Sequence, residues 1–394
     1  MEKIDSKTKI RRKQVVFVGM SGGVDSSVAA LLLKRQGYEV IGVFMRCYNV
    51  DGCADRDSED ARRVAEKLGI PFYVWDFEEE YKQRVVKYMI EGYRKGLTPN
   101  PDVMCNREIK FGLFLDRALR LGADYAATGH YVVKREARRA KRGGKSVSGF
   151  TLQVSRDKNK DQSYFLWTLT QAQLAHCLFP VGEYTKPQVR AIARRAGLPT
   201  AAKKDSQGIC FLGQVSLTDF LKQYLPPKRG PVLDLAGNRI GEHAGAHFYT
   251  VGQRHIGLPN RKALIADRGN IARAYVAEKD IRKNTIVVAE GADNPALYQS
   301  TVWLAGLNLI DPEVLKKLRA AQSPLRVFAR VRYRQPLTRA KLQASGSKSQ
   351  TWKLVFDEPQ KFVAAGQSAV IYVEDPSAGS GRSRLRMLGG GVIV

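Results

Sequence analysis

The chain has 394 residues, of which 44% are apolar and 26% are charged. These fractions are ordinary for a globular protein and exclude a disordered chain or a fibre. At about 150 residues a domain, the length predicts two to three domains. Lys and Arg outnumber Asp and Glu by 65 to 38, a formal charge of +27. That excess favours a polyanionic partner such as nucleic acid over a merely solvated basic surface.

The cysteines and the hydropathy pattern indicate the compartment. The five cysteines are odd in number and scattered, unlike a secreted disulfide framework. No apolar run reaches the roughly 18 residues of a membrane-spanning helix. The apolar run at 15–18 is too short for the core of a signal peptide. We therefore expect a soluble, cytoplasmic protein.

Strand and helix patterns alternate in the first third of the chain. Runs of β-branched and aromatic residues predict strands at 15–18, 40–45, 72–75 and 125–128. Apolar periodicity predicts helices at 26–37, 60–68, 78–90 and 110–121. Alternating strands and helices indicate βαβ units, so the predicted fold class is α/β with a parallel sheet covered on both faces.

The rest of the chain no longer alternates regularly between strand and helix patterns. Basic residues crowd residues 134–149, which we interpret as an exposed excursion between two strands. A further helix is predicted over 185–197. Beyond about residue 215, glycine-rich turns separate short strand patterns, and these predict a small β-rich central domain followed by a β-barrel or sandwich. The strand patterns near the C-terminus cover 327–333, 351–356 and 368–373.

A string rich in glycine and serine lies between the first predicted strand and helix. Its glycines let the backbone approach a ligand, and its N–H groups and the helix N-terminus would face an anion together. It is neither a Walker A loop nor the dinucleotide fingerprint. The alternative interpretation of this string is a tight strand-to-helix turn in which a side chain caps the helix. The string is Gly19, Met20, Ser21, Gly22, Gly23, Val24, Asp25, Ser26, Ser27.

This string resembles the phosphate loop of the N-type ATP pyrophosphatases, which adenylate an oxygen of their substrate and release pyrophosphate. The resemblance implies that ATP is bound, and that Asp25 lies near the Mg²⁺ that neutralises the departing pyrophosphate. The superfamily alone leaves the substrate open.

Two cysteines lie in polar, loop-like strings. Cys105 follows Asn100-Pro101-Asp102 and precedes the helix predicted from residue 110, and a thiol at a helix N-terminus is a good nucleophile. Cys210 ends the string Asp205-Ser-Gln-Gly-Ile-Cys. Each thiol alone is more often a core residue than a catalyst, but polar surroundings favour a reactive pair.

With the loop and the basic charge, these strings resemble one family: the tRNA-specific 2-thiouridylases. Further matching strings are 127–131, 160–166, 250–254, 332–335, 366–367 and 388–391, so the resemblance covers nearly the whole chain. It implies a pyrophosphatase domain, a small central tRNA-binding domain and a C-terminal β-barrel. We expect these at 1–215, 216–295 and 296–394.

The resemblance also assigns roles. Gly19 to Ser26 would bind the ATP phosphates, Met45 would lie by the adenine, and Gly129 would contact the nucleotide. Cys105 would be the nucleophile and Cys210 would carry a persulfide.

Other matching positions concern the RNA. Asp102 would act as general acid or base at the pyrimidine. The residues that would surround the target base are Asn100, Pro101 and Asp102. The positions that match tRNA contacts are His130, Lys160, Asp161, Gln162, Arg332, Tyr333 and Gln367.

The expected reaction converts the C2 carbonyl of the wobble uridine into a thiocarbonyl. ATP turns the C2 oxygen into a good leaving group, AMP, and the persulfide delivers sulfur. Either Cys105 releases sulfide from Cys210 and a disulfide remains, or the persulfide attacks C2 directly and Cys105 resolves it. A persulfide-donating relay protein or a cysteine desulfurase would supply the sulfur, and no membrane partner is expected.

Other interpretations use the same residues. Asp102, Cys105 and Cys210 could ligate an iron–sulfur cluster. The loop could serve another pyrophosphatase that adenylates tRNA or a small substrate, or an RNA-binding protein without turnover. We predict no metal site at Cys47 and Cys53, which lack a second ligand pair.

Arginines recur at every second position late in the chain. This spacing predicts that they line one face of a strand that suits a phosphate backbone, a solvated strand face being the alternative. They are Arg330, Arg332 and Arg334, preceded at a longer interval by Arg326.

Overall fold

The computed structural model describes residues 12–48, 52–138, 148–205, 212, 215–254, 256, 273–321, 323–345, 351–375 and 385–394. It confirms the predicted fold class: a parallel sheet with helices, a small central domain and a closed C-terminal β-barrel. In these ranges no helix has the length and apolarity that crossing a bilayer requires.

The strands of the first region are β1 (Val15–Gly19), β2 (Glu39–Arg46), β3 (Phe72–Asp76), β4 (Tyr125–Ala127), β5 (Val132–Arg138), β6 (Ser148–Val154) and β7 (Cys177–Leu178). Five of them form a parallel sheet in the order β3-β2-β1-β4-β7. The β-branched residues Val16 and Val18 are fully buried at its centre. The chain winds outward on both sides of β1, and ligands of open α/β sheets bind beyond the carboxyl ends of the strands at such a point.

The helices of this region are α1 (Val24–Arg35), α2 (Cys53–Leu68), α3 (Glu78–Tyr81), α4 (Lys87–Arg94), α5 (Pro101–Cys105), α6 (Leu115–Arg120), α7 (Gln171–Ala175) and α8 (Lys186–Arg195). π-helical turns join α3 to α4 (Lys82–Val86) and α5 to α6 (Asn106–Phe114). One face of the sheet packs on α1, α2 and α8, as Val28, Val64 and Val189 share a core. The other face packs on the α4–α6 region through Met89 and Phe114.

The central domain has a small hydrophobic core. It contains α9 (Leu217–Lys222), β8 (Gly230–Leu233), β9 (Arg239–His243), β10 (Ala274–Asp280) and β11 (Thr285–Glu290). The strands pair in the order β10-β11-β8-β9. Val232, Val276 and Ile286 are completely buried between them.

The last region contains β12 (Tyr298–Leu309), α10 (Pro312–Ala321), β13 (Leu325–Arg330), β14 (Thr338–Ala344), β15 (Trp352–Lys361), β16 (Ser368–Glu374) and β17 (Leu385–Ile393). Its sheet has the order β12-β15-β14-β13-β16-β17, and β12 also pairs with β17, which closes a barrel. The β5–β6 hairpin leaves the first domain and extends this sheet, with Leu152 beside Met387. The barrel is therefore fastened to the first domain by backbone hydrogen bonds.

Two local expectations were wrong. The helix predicted from residue 110 begins at Pro101, because Asn100 caps it by accepting a hydrogen bond from the Val103 N–H (3.1 Å) and Pro101 suits the first helical position. Cys105 therefore lies inside a continuous helix and not at a helix N-terminus. The strand predicted over 327–333 ends at Arg330, where β13 gives way to a turn.

Candidate active site

The phosphate loop connects β1 to α1, as the sequence predicted. Gly22 has a φ of +70°, and a Cβ there would lie 2.3 Å from the carbonyl oxygen of Asp57. Only glycine fits this position. The Ser26 hydroxyl accepts a hydrogen bond from the Ser21 N–H (3.1 Å) and donates one to the Gly23 carbonyl (3.1 Å). These hydrogen bonds fix the loop at the N-terminus of α1. A glycine-rich loop at a helix N-terminus is an arrangement that binds phosphates.

The two nucleotide-binding candidates outside the loop lie against it. A Cβ on Gly129 would stand 2.6 Å from the Ser26 backbone nitrogen, so the chain after β4 touches the first turn of α1. The Met45 methyl group, at the end of β2, reaches the space beside Gly19. Both positions therefore adjoin the phosphate loop, and neither is among the residues that line the cavity described below.

The Asp25 carboxylate is the start of a chain of alternating charges. Lys186, a buried residue of α8, donates to both of its oxygens (2.8 Å each), and the Tyr131 hydroxyl donates to one (2.7 Å). Lys186 also pairs with Asp205 (2.8 Å), which receives Lys160 (2.6 Å) as well. The loop is therefore linked electrostatically to the residue that begins the Cys210 string.

These charges set the protonation of their neighbours. Partial burial disfavours a charged Asp205, but hydrogen bonds from Lys160 and Lys186 outweigh it and lower its pKa to about 2. Burial, and next the charge of Asp25, raises the pKa of Tyr131 well above its usual value, so its hydroxyl stays a donor. The Asp205 carboxylate therefore stays ionised around neutral pH.

Asp102 and Cys105 lie on the helix that Asn100 caps. The Cys105 side chain is only 4% exposed, among the residues that pack the α4–α6 face. Asp102, one turn earlier on the same face, lines a cavity. Cys105 lies one helical turn beyond Pro101 and Asp102 on the same helix, and it is not itself among the residues that line the cavity.

His130 also lines that cavity, and its ring packs on Phe111 with centroids 5.8 Å apart. Thr128 Oγ1 is 2.8 Å from His130 Nδ1. Burial, and to a lesser extent the charge of Lys110, lowers the His130 pKa well below its usual value. The ring is therefore neutral at physiological pH and serves as a hydrogen-bonding group.

The C-terminal barrel forms the remaining wall. Gln367 Nε2 donates to the Thr98 carbonyl (3.0 Å), and Thr98 N–H donates to the Ala365 carbonyl (2.7 Å), so the barrel holds the chain that enters the Asn100 cap. The Tyr333 ring packs on Phe165 with centroids 4.5 Å apart.

One cavity of about 660 Å³ unites these parts. Its lysines and one arginine outnumber its carboxylates, which suits a polyphosphate and an RNA backbone together. The sequence-predicted residues that line it are Ser21, Gly23, Val24, Asp25, Asn100, Pro101, Asp102, His130, Lys160, Gln162, Tyr333 and Gln367.

Two of the candidate tRNA contacts are engaged elsewhere. Asp161 is buried and accepts a hydrogen bond from Arg330 of the barrel (2.7 Å). Arg332 donates to the Val251 carbonyl of the central domain (2.5 Å). Both side chains join domains, whereas Arg334 lines the cavity. The arginines therefore do not share one strand face, because the strand ends before Arg332.

Cys210 lies outside the described residues, as do Gln207 and most of the basic segment 134–149. Cys177, in contrast, is fully buried in β7, and burial raises its pKa to about 12. Among the residues described, no group of three or more His, Cys, Asp and Glu side chains is placed to hold a metal ion.

Sequence reasoning missed several cavity residues. Lys186, Lys203 and Phe165 come from helices and turns far from the phosphate loop in the chain. Asn106 was overlooked beside the more conspicuous Cys105. A signal existed for Lys186, since a lysine in the first turn of a predicted helix opposes the helix dipole and calls for an anionic partner.

A parallel sheet with this loop at its switch point defines an N-type ATP pyrophosphatase, here joined to a central domain and a barrel. Family models agree: one described as the tRNA methyl transferase HUP domain matches residues 14–214, the tRNA methyl transferase PRC-barrel domain matches 218–290, and the aminomethyltransferase beta-barrel domain matches 305–393.

Curated relatives specify the family. The tRNA-specific 2-thiouridylase MnmA of Pseudomonas aeruginosa (strain LESB58) is 44% identical over 376 residues, covering 94% of each chain. The enzyme of the same name from Thiobacillus denitrificans is 45% identical and covers 93% of this chain and 98% of its own. That of Streptococcus mutans is 43% identical, covering 94% and 95%. The chain belongs to the tRNA-specific 2-thiouridylase family.

Proposed function

We propose that this chain catalyses the ATP-dependent 2-thiolation of the wobble uridine of tRNA and releases AMP and pyrophosphate. One observation carries the proposal: a single cavity joins the phosphate loop to Asn100, Pro101 and Asp102, at the start of the helix that carries Cys105. Adenylation and sulfur transfer to one atom need such a shared site. The methyl transfer in the family-model descriptions would leave the phosphate loop without a purpose.

ATP would bind with its phosphates on the loop. The backbone N–H groups of Gly22 and Gly23 and the start of α1 would attract the anion, and Lys186 and Lys203 line the same cavity. Asp25 is the loop carboxylate that would hold Mg²⁺, and to do so it would give up a hydrogen bond from Lys186 or Tyr131. Mg²⁺ takes one or two protein carboxylates and completes its shell with phosphate oxygens and water. When bound, Mg²⁺ would neutralise charge on the leaving pyrophosphate.

The target base would enter beside Asn100, Pro101 and Asp102, turned out of the anticodon loop. The uridine C2 oxygen attacks the α-phosphorus of ATP, the bond to the pyrophosphate breaks, and an O-adenylyl uridine remains. Asp102 is placed to move the N3 proton, which must leave the ring as the C2–O bond becomes single.

Sulfur would arrive as a persulfide on Cys210. In one route Cys105 attacks the inner Cys210 sulfur, hydrosulfide leaves and adds to C2, and AMP departs with the original oxygen, leaving a Cys105–Cys210 disulfide. In the other route the terminal persulfide sulfur adds to C2, AMP departs, and Cys105 then cleaves the S–S bond to form the same disulfide. Both routes oxidise the two thiols, so an external dithiol must reduce the enzyme after each turnover.

The tRNA would be held by charge and by named contacts. The formal charge of +27 supports binding that weakens steeply with salt. We propose that the cavity contacts to RNA are His130, Lys160, Gln162, Tyr333 and Gln367. Asp161 and Arg332 would act on the RNA only through the neighbours they position.

Organisation and partners complete the proposal. The ranges of the family models support domains at 1–215, 216–295 and 296–394. A sulfur-relay protein or a cysteine desulfurase would load Cys210, and the reaction would take place in the cytoplasm, where thiols stay reduced.

The test is a reconstituted reaction. Purified protein is incubated with ATP, Mg²⁺, a persulfide source and an unmodified tRNA transcript, and the digested RNA is analysed by mass spectrometry. We expect 2-thiouridine at the wobble position together with AMP. AMP without thiouridine would favour another adenylating enzyme, and neither product would favour a binding protein. Loss of activity with loss of bound iron, after anaerobic purification, would favour the cluster route.

A further inference from the structure

Asn106 carries a buried polar atom with no partner. Its side chain is 3% exposed and lines the cavity, yet its Oδ1 accepts no hydrogen bond from any described residue. Such an atom costs about 1–3 kcal/mol unless a ligand or water supplies a donor. Native proteins retain few of them, and those that remain are often functional.

The orientation of this amide follows from its other half. Asn106 Nδ2 donates to the Phe165 carbonyl oxygen (3.4 Å). Turning the amide over would set two oxygens against each other, so Oδ1 is the atom presented elsewhere. Asn106 also begins the π-helical turn after Cys105 and lies one helical turn beyond Asp102. Asn106 therefore belongs to the end of the cavity where the target base would enter.

We propose that Asn106 determines specificity for uracil by accepting the N3–H of the target base at Oδ1. This inference rests on the proposed function and names how the base is chosen. Uracil carries a donor at N3, whereas cytosine carries a lone pair there and has the same C2 carbonyl. An acceptor-only atom at this place satisfies uracil and repels cytosine, which would otherwise present the same reactive group.

The N3 proton of the base first forms a hydrogen bond and is later transferred. In the encounter it is shared with Asn106, which fixes the plane of the base against the Asn100–Asp102 turn. During adenylation it passes to a base such as Asp102, because an amide oxygen is too weakly basic to take it. Asn106 is therefore a residue of recognition and does not take part in proton transfer.

The test compares two RNA probes on the full chain. Fluorescently labelled anticodon stem-loops with uridine or cytidine at the target position are titrated by anisotropy. We expect the wild-type protein to prefer uridine by about tenfold. In Asn106→Leu, which is close in volume, and in Asn106→Ala, which leaves space, the ratio should fall to near one. A general structural fault would weaken both RNAs alike and leave the ratio unchanged.

Asn308→Leu is the matched control. Its Nδ2 donates to the carbonyls of Trp167 (2.6 Å) and Leu169 (3.2 Å), away from the cavity lining, so the variant should keep the wild-type ratio. ATP affinity should be the same in wild type and Asn106→Ala.

Three results would overturn the inference: no uridine preference in the wild type, an unchanged ratio in both Asn106 variants, or a fall in ATP affinity, which would assign the acceptor to adenine. The proposed function is judged separately by thiouridine formation. Thiolation with an unchanged ratio defeats only the inference, and a changed ratio without thiolation defeats only the function.

Discussion

The two ends of the cavity are built in opposite ways. At the phosphate end, consecutive residues from Gly19 to Ser26 supply glycines, hydroxyls and a helix N-terminus within one turn. At the barrel end, Phe165, Tyr333 and Gln367 come from three distant parts of the chain and meet only in the folded protein. The phosphate loop can bind its ligand through the backbone of one short segment. The barrel end of the cavity, in contrast, forms only when the contacts between the domains form.

The arginines after residue 329 illustrate the difference. Arg330 ends β13 and is buried against Asp161, Arg332 reaches the central domain, and Arg334 lines the cavity with a φ of +67°. A non-glycine residue in that region is strained, and strain of this kind gathers at functional sites. Three similar residues at equal spacing therefore have three different tasks, which no periodicity distinguishes.

The largest expected effect is at Cys105, on the helix that begins at the cavity. Cys105→Ser should reduce thiouridine formation by roughly a thousandfold or more, because the hydroxyl is a poor nucleophile at neutral pH. ATP affinity should be unchanged. Cys177→Ala, which removes another buried thiol, should keep activity and lose only some stability. Equal activity of both variants would remove Cys105 from the mechanism.

One added methyl group in the phosphate loop should weaken ATP binding. Gly22→Ala places a Cβ 2.3 Å from the Asp57 carbonyl oxygen and should weaken ATP binding by more than about tenfold, since the loop must move. Gly37→Ala is matched, because its φ of +89° is equally strained but its Cβ would meet nothing within 4 Å. Calorimetric titration with ATP separates the two. Equal ATP affinity in both variants would contradict the loop assignment.

The barrel end of the cavity depends on the buried ion pair between Arg330 and Asp161. Arg330→Met leaves the buried Asp161 carboxylate without its cation and should lower the free energy of unfolding by about 3–5 kcal/mol. Arg62→Met breaks exposed pairs with Glu59 and should cost less than about 1 kcal/mol. Urea unfolding measures both. Weaker tRNA binding at unchanged ATP affinity in Arg330→Met would show that the barrel serves the RNA side of the cavity.

The smallest effect concerns pH. The folded His130 has a lowered pKa, so the unfolded chain binds more protons below the usual value of about 6.5. His130 therefore contributes stability above that pH, and the contribution falls as the pH drops, by at most about 1.4 kcal/mol per unit. His130→Gln should flatten the decline between pH 6.5 and 5. The exposed His176→Gln is the control, and an equal slope in all three proteins would refute the assignment.

Much of the fold was predictable because its signals are local. The β1 run, the Gly37 helix stop and the alternating strands and helices predict the parallel sheet without tertiary information. The cap at Asn100 was also readable in principle, since Asn followed by Pro is a common helix start. The helix was placed too late because Cys105 was judged against the next apolar periodicity.

What could not be predicted depends on contacts between distant residues. Nothing in Lys160-Asp161-Gln162 distinguishes a buried carboxylate from its cavity-lining neighbours; only the position of Arg330 in the barrel does so. The Lys186 bridge from Asp25 to Asp205 joins three separate segments. The charge pattern alone predicts a basic surface and leaves these pairings undetermined.

In the reaction that we propose, ATP activates the C2 oxygen of the target uridine inside this cavity. The most direct measurement uses tRNA whose wobble uridine carries ¹⁸O at C2 and follows the label by mass spectrometry of AMP and RNA. We expect one ¹⁸O in the AMP for each thiouridine formed. Thiouridine accompanied by unlabelled AMP would contradict it, because the oxygen would then have left by a route that ATP does not share.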